Sequence, residues 1–550
     1  MPRDRKTVLE RRPGETQATH WDGSVVGLVD DKYDIVIVGL GPVGAVAANL
    51  AGAAGFRTLV IERSSQPYLL PRAIVFDAEI MRIFDAIGLA EAITAVTRPL
   101  GGSIYLGADH RPIRTFRARP PAHDKAWFPS NLFFQPQLEG VIREGLARYP
   151  NVTVLLAHEV SGLQEVDGSV AMRLDAVDGG DLRIVEAKFV LACDGASSTV
   201  RKALGVPLDD IGFEERWLVV DTFVDGEMRW PQGYEIPEEV RDNRYSLMVC
   251  DPARPSTLIP GVGRHRRWEY MLMPGEHPDD VVPEAWLREQ LTLWVDPDKV
   301  EIVRSAVYRF RALVAQRWRA GRVFLVGDAA HQTPPFYGQG MCHGLRDAAQ
   351  LIWRLRLVRD GLAADSLLDS YQSEREPHVR EIITASVAAG AAVCKTDPVQ
   401  AATRDAAFRA IELERAQRPV AMSDIVPPLR AGVIDPANGG DRLPEFTIPG
   451  PDGDTVRLDA VIDGRFLVLG LEEATPVSPL DPKVVIVKPT DAVGAWLQSQ
   501  GAVFAIVRPD RYVHSLAASA RELRERLSLL HAQLGLAAID ITSLSEMSPP

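Results

Sequence analysis

A chain of 550 residues, 46% hydrophobic and 25% charged, has the composition of a globular protein and is too long for one core. Its formal net charge of −13, with no clustered basic face, argues against a nucleic-acid partner. The four cysteines, Cys193, Cys250, Cys342 and Cys394, stand far apart, which excludes a disulfide framework and shows no metal spacing, and no apolar run is long enough to span a membrane.

Residues 1–32 read as a polar leader without a signal-like stretch, so the expected compartment is the cytoplasm. Order begins at Tyr33–Val38, a β-branched run that predicts a buried strand. Glycines lead from it into an alanine-rich helix over Ala45–Ala54, and Thr58–Glu62 predicts a second strand. This β-α-β unit is a Rossmann-like start. Ala187–Asp194 and Arg322–Asp328, each an apolar strand ending in an aspartate beside a glycine, belong by pattern to the same parallel sheet. Between them, Trp217–Phe223, Tyr245–Cys250, Trp268–Met273 and Val300–Phe310 alternate as antiparallel strands with one wet face do. The expected architecture is α/β. Residues 33–205 and 301–395 form a discontinuous nucleotide-binding domain, and 206–300 form an inserted antiparallel-sheet substrate domain. A helical region runs from Gly344 through Leu367 to about Ala392. Residues 396–450 read as a helical segment and linker, proline- and glycine-rich over Pro427–Pro451. Residues 451–550 form a third α/β unit, with strands at Phe466–Leu471, Val484–Val487 and Val503–Val507 and a helix over Arg521–Leu534.

The chemistry concentrates at two places. In Gly39-Leu-Gly41-Pro42-Val43-Gly44 the first glycine permits the turn, the second lets backbone approach a pyrophosphate, and the third allows helix–strand packing. The helix end supplies free N–H groups and a positive dipole. Glu62, followed by Arg63, closes the second strand, placed to accept ribose hydroxyls. A bare glycine turn is the bland alternative; the strand, helix and acid together point to a nucleotide. The second place is Val326-Gly327-Asp328-Ala-Ala-His331, followed by Pro334-Pro335 and Gly338-Gln339-Gly340. Here an aspartate at a strand end suits a ribityl hydroxyl, and glycines before a helix offer N–H groups to an anionic ring. A helix-capping Asp328 is the alternative.

With these motifs the chain resembles the flavoprotein aromatic hydroxylases (class A flavoprotein monooxygenases), in which GxGxxG, a mid-chain Asp-Gly and a later Gly-Asp touch FAD. The matching positions are Gly39, Gly41 and Gly44, Asp194-Gly195, and Gly327-Asp328. Family members also carry an arginine after the second strand and a glutamine before a long helix, matched by Arg72 and Gln135. Mid-chain strings such as Arg267-Trp-Glu-Tyr-Met-Leu-Met-Pro-Gly-Glu276 resemble the branch acting on 3-(3-hydroxyphenyl)propionate. The resemblance implies FAD as cofactor and NADH or NADPH as a transient co-substrate. It implies molecular oxygen trapped on the flavin as a C4a-hydroperoxide, and an aromatic substrate. Pro334, Pro335, Gly338, Gln339 and Gly340 would then surround the flavin ring, with Met341 and Cys342 continuing the contact. Many relatives have asparagine and serine where Cys342 and His343 stand; Cys342 reads as packing. His331 and His343 read as solvent-facing or capping, and no acid or base is assigned. The third unit resembles the thioredoxin-like tail of these hydroxylases, and the absence of cysteine after Cys394 excludes dithiol chemistry there. Three readings stay open: hydroxylation of a small phenolic acid such as 3-(3-hydroxyphenyl)propionate, tailoring of a larger polyketide-like aromatic, and a flavin-fold scaffold without redox work. A homodimer is also left open.

Overall fold

The computed structural model describes residues 31–67, 72–180, 182–415, 426–450, 454–473, 480 and 482–536. The leader through residue 30 lies outside the described residues, and the first strand, Asp31–Val38, starts slightly before the expected Tyr33. Its apolar run is buried on both faces, with Ile35, Val36 and Ile37 fully enclosed. Thr58–Glu62 pairs with it in parallel on one side and Leu182–Ala192 on the other. Val152–Leu156 extends the sheet beyond Thr58–Glu62, and Val323–Leu325 joins Leu182–Ala192, again in parallel. Register fixes the outcome. Val38 lies opposite Ile61 and Ala192, and Ala192 opposite Leu325. Gly39, Glu62, Asp194 and Gly327 therefore leave the sheet along one carboxyl edge, the edge at which open α/β sheets bind ligands.

The second sheet has eight strands and draws on more of the chain than 206–300. Its order is His331–Gln332, Val300–Ala315, Leu208–Val224, His265–Met271, Ser256–Pro260, Tyr245–Val249, Gly102–Leu106 and Pro112–Arg117. The last two are short and come from the first domain's sequence; Gly102–Leu106 pairs with Tyr245–Val249 and covers its edge, and Pro112–Arg117 pairs with Gly102–Leu106. Alternation along the strands is as expected, but its polar face is not wet. One face buries Leu218, Val220, Trp268 and Tyr270 under Leu287 and Leu291 of the helix Glu284–Thr292. The other carries Asp221 and Arg267, both buried, because it is turned onto the first domain. A polar stripe thus marks an internal interface, not solvent.

Two long helices follow, Gly340–Arg359 and Ser370–Val393. The helix Pro398–Arg415 lies against Pro112–Arg117, where Glu412 accepts the Thr115 N–H at 3.0 Å. The stretch expected to be a linker packs instead: Leu429, Val433, Ile434 and Leu443 are buried, since apolar residues are spaced among its prolines and glycines. The third unit is a mixed four-stranded sheet in thioredoxin-like arrangement. Its order is Lys483–Ile486, Leu467–Gly470, Phe504–Val507 and Val513–Ala517, flanked by helices Ala492–Ser499 and Ala520–Gln533. It shares a core with the helix Gly340–Arg359, where Trp353 and Leu357 meet Phe466, Phe504 and Leu527.

Candidate active site

At the carboxyl edge the three glycines of the first turn part company. Gly39 has φ +99°, and a Cβ on it would lie 2.5 Å from the Cys193 carbonyl oxygen. A Cβ on Gly44 would lie 1.9 Å from the Gly39 oxygen. Both positions hold backbone against backbone. Gly41 alone faces open space, with nothing within 4 Å of its would-be Cβ. It caps the helix Pro42–Ala53, whose first-turn N–H groups lack intrahelical acceptors and whose positive end faces that opening. This is the shape of an anion seat. Beside it, Glu62 accepts the Leu40 N–H at 2.8 Å on one carboxylate oxygen and the Ser64 N–H at 2.9 Å on the other. Each oxygen keeps a lone pair for a sugar hydroxyl. Arg63 is exposed at the same edge.

The second motif closes on the first. A Cβ on Gly344 would lie 2.5 Å from Val43 Cγ2, and one on Gly327 would lie 3.2 Å from the same atom. Val43, Gly327 and Gly344 therefore bring the first helix, the Gly-Asp turn and the long helix into contact. Asp328 projects from this junction into the cleft. Its carboxylate makes no hydrogen bond among the described residues, although its side chain is accessible. Crowding by the cleft walls raises its pKa, which His331 and Arg72 partly offset. It caps no helix, since Gln339 holds the N-cap of Gly340–Arg359. An accessible carboxylate without a partner fits a ribityl hydroxyl of FAD. Asp328→Ala removes a charge-assisted bond of about 1.5–3 kcal/mol, so FAD affinity is expected to fall roughly ten- to a hundredfold. Equilibrium titration of the apoprotein checks this, and an unchanged dissociation constant in a folded variant would count against the role.

Asp194 is half engaged. One oxygen accepts from Thr199 Oγ1 and the Val200 N–H, each at 3.1 Å, and the other is buried with no partner among the described residues. Gln135 is a positioning group. Its amide oxygen accepts the Arg72 and Ala73 N–H groups at 2.6 and 2.7 Å, and its amide nitrogen donates to Glu139 at 2.6 Å. The Arg72 carbonyl in turn accepts from Arg267 at 2.6 Å. Gln135 thus reaches the cleft through the Arg72 loop.

The loop expected around the flavin ring is firmly tied. Pro334 accepts from Ser386 Oγ at 2.7 Å, and the turn Pro335–Tyr337 ends in Gly338 at φ +63°, beside Val75. A Cβ on Gly340 would meet only the Thr333 carbonyl oxygen, 3.9 Å away, and Met341 is half-buried. Gln339, however, points inward: its oxygen accepts from Arg346 at 2.9 Å and its nitrogen donates to Asp77 at 3.1 Å. Cys342 is fully buried, with its thiol 3.7 Å from the Gly338 carbonyl and its pKa pushed up by burial. Its side chain packs the loop from behind and lines no open cleft.

His331 and His343 are neither solvent-facing nor capping, contrary to the sequence reading. Both are fully buried. His331 Nε2 lies 2.7 Å from Asp347, and Arg375 bridges Asp347 at 2.9 Å and His343 at 3.2 Å. Burial, together with Arg346 and Arg375, holds the His343 pKa well below its usual value. The network of Asp77, Glu79, Arg346, Asp347 and Arg375 escaped sequence reading; the one hint was a charged Arg346-Asp347 pair set in a largely apolar helix.

Comparison with known proteins bears on this arrangement. The FAD binding domain family matches residues 32–386. The chain is 34% identical over 513 residues to a probable NADH-specific resorcinol 4-hydroxylase of Rhodococcus jostii (strain RHA1), covering 89% of this chain and 93% of the relative. It is 32% identical to a 3-(3-hydroxy-phenyl)propionate/3-hydroxycinnamic acid hydroxylase of Klebsiella pneumoniae subsp. pneumoniae, over 94% of this chain and 98% of that one. The crystal structure of the flavin-dependent monooxygenase PieE in complex with FAD and substrate superimposes with a TM-score of 0.77 at 20% identity, over 92% of this chain and 100% of that one.

Proposed function

Because the chain belongs to the flavoprotein aromatic hydroxylases that share this FAD binding domain, we propose that it is an NADH- or NADPH-dependent monooxygenase of small phenols. The observation that carries the reading is a convergence: an open helix end over Gly41 and the unpartnered Asp328 carboxylate share one sheet edge. The polar inner face of the second sheet meets the first domain nearby, where Arg267 donates to the Arg72 carbonyl. FAD, when bound, supplies hydride acceptance and oxygen activation. The chain's own residues do the rest. Gly41 and the first helix seat the diphosphate, while Glu62 and Asp328 hold hydroxyl groups. The backbone of Gly338–Gly340, before a helix, offers N–H groups to negative charge. Trp217, Phe310 and Phe336, with ring centroids 6.0–6.2 Å apart, form an apolar wall that keeps water from the reacting ring.

A small substrate is favoured over a polycyclic one by the two curated relatives, whose names specify resorcinol and a phenylpropionate. The test supplies resorcinol, 3-(3-hydroxyphenyl)propionate and a polycyclic phenol under isotopically labelled dioxygen. Small phenols are expected to accelerate NAD(P)H oxidation and to gain one labelled oxygen atom. Label confined to the polycyclic product would shift the reading to a tailoring enzyme. A flavin that no nicotinamide reduces would leave only the scaffold.

A further inference from the structure

Along the strand His265–Met271, side chains alternate between the two faces of the second sheet. Trp268 and Tyr270 enter the apolar core. Arg267, Glu269 and Met271 share the inner face. Arg267 touches the Arg72 carbonyl at 2.6 Å, and Met271 packs in one cluster with Trp217 and Phe336. Glu269 stands between these two contacts, on the face from which Met271 reaches Phe336. Its neighbours across the sheet, Val219 on one side and Thr257 on the other, carry no charge. Charged neighbours on this face are committed elsewhere. Asp221 accepts from Arg267 at 2.9 and 3.1 Å and lies 2.8 Å from His265. Glu269 makes no hydrogen bond or ion pair with any described residue and is half-buried. A half-buried carboxylate so placed lacks only a donor.

Building on the hydroxylase reading, we propose that Glu269 accepts the substrate's phenolic O–H, orienting the ring against the Pro334–Gly340 loop and selecting phenols that carry no carboxylate. A hydrogen bond from a phenol to a carboxylate is short and strong. Exclusion of acids follows from where the cations are. Arg267 is held by Asp221 and the Arg72 carbonyl. The row running from Glu269 through Thr257, Met248 and Tyr105 ends at Arg114, four strands away. At a strand spacing of about 4.8 Å that is roughly 19 Å, longer than a small phenolic acid. The Arg114 guanidinium is moreover held over the Phe116 and Phe408 rings, at 4.3 and 5.0 Å from their centroids. On the other side, Arg304 shares this face two strands away, buried and held over the Tyr308 ring at 4.6 Å. A carboxylate brought in beside Glu269 would meet like charge, with each of these cations already engaged.

Burial pushes the Glu269 carboxyl up to about 7, Arg267 opposing and Asp221 adding to the shift. The charged or titratable groups around it are Arg267 and His265 on its own strand, Asp221 on the next, Arg304 and Tyr308 on the strand beyond that, Arg72 from the facing loop, and Tyr105 and Arg114 along the row. Since the ionised form is the stronger acceptor, phenol binding should strengthen as pH rises through about 7.

The test titrates the FAD-loaded protein with resorcinol and with 3-(3-hydroxyphenyl)propionate, by calorimetry and flavin absorbance, at pH 6 and 8, alongside turnover. For the wild type, resorcinol is expected to bind more tightly than the acid, and more tightly at pH 8. Glu269→Gln should lower resorcinol affinity tenfold or more, remove its pH dependence, and leave the acid's affinity unchanged or improved. Glu269→Asp should recover part of the loss, and FAD content reports folding of each variant. Unchanged resorcinol binding and pH dependence in Glu269→Gln would overturn the role of Glu269 alone. Tighter binding of the acid by the wild type would overturn the selectivity. A wild type that neither binds nor turns over any phenol would instead overturn the hydroxylase reading on which this rests.

Discussion

Replacing Glu374 by alanine is expected to loosen the C-terminal unit from the FAD-binding domain and to give the largest loss of stability among the substitutions considered. Glu374 is buried and joins the two units. Its oxygens accept from Arg508 at 2.7 Å each, Arg354 lies 2.8 Å away, and the Val433 N–H donates at 3.1 Å. Arg354 and Arg508 are both fully enclosed. Breaking one buried pair by removing a partner costs about 3–5 kcal/mol, and here Arg354 loses its paired carboxylate while Arg508 is left with Asp510. Calorimetry should show a lower melting temperature with an early, separate transition. A melt identical to wild type would refute this. The same interface predicts acid lability. Burial alone would raise the carboxyl of Glu374, but Arg354 and Arg508 overcome it and hold it at about 2. Arg82 and Arg511 likewise hold Asp459 at about 2, and Arg346 and Arg442 hold Glu79 far below its usual value. Groups depressed in the folded state stabilise it fully above their ordinary values, 4.5 for Glu and 3.8 for Asp, and lose that contribution as pH falls toward 2. Fluorescence of Trp353, which contacts Phe466 of the C-terminal unit, should report separation across that window.

Asp347→Ala should be nearly as damaging, and it should also cost cofactor. Asp347 accepts the Gly327 N–H at 3.1 Å, lies 2.7 Å from His331 Nε2, and accepts from Arg375 at 2.9 Å, with all three side chains fully buried. Its removal leaves Arg375 charged and without this carboxylate, again a loss of about 3–5 kcal/mol. It also releases the turn that aims Asp328 into the cleft. Lower thermal stability and weaker FAD retention are therefore expected together. Asp347→Asn keeps the shape and part of the hydrogen bonding, so it separates the charge from the turn. Wild-type stability and FAD retention in Asp347→Ala would remove the network from the account of the site.

A clear division runs through the molecule between local and distant causes. The β-α-β start, the parallel strands ending at Asp194 and Asp328, and the separate parts of the three glycines were legible in the sequence. Each depends on a short apolar run or on backbone sterics within a few residues, and such forces act on any chain that contains the string. The thioredoxin-like unit was legible in outline for the same reason, although Val513–Ala517 and Ala492–Ser499 went unrecognised. What the tertiary structure decided was the direction of polar side chains. Gln339 has the residue type of a flavin neighbour, yet Asp77 and Arg346 draw it inward. His331 and His343 have the composition of surface histidines, yet Asp347 and Arg375 claim them. The proline- and glycine-rich stretch after Pro427 looks like a tether and is a packed seam. Glu79 meets Tyr512 at 2.9 Å across 433 residues of sequence, a separation that carries no periodicity to read. A buried polar group takes whatever partner the fold brings to it, because leaving it unpaired is costly, and that partner is named only once distant strands and helices have met.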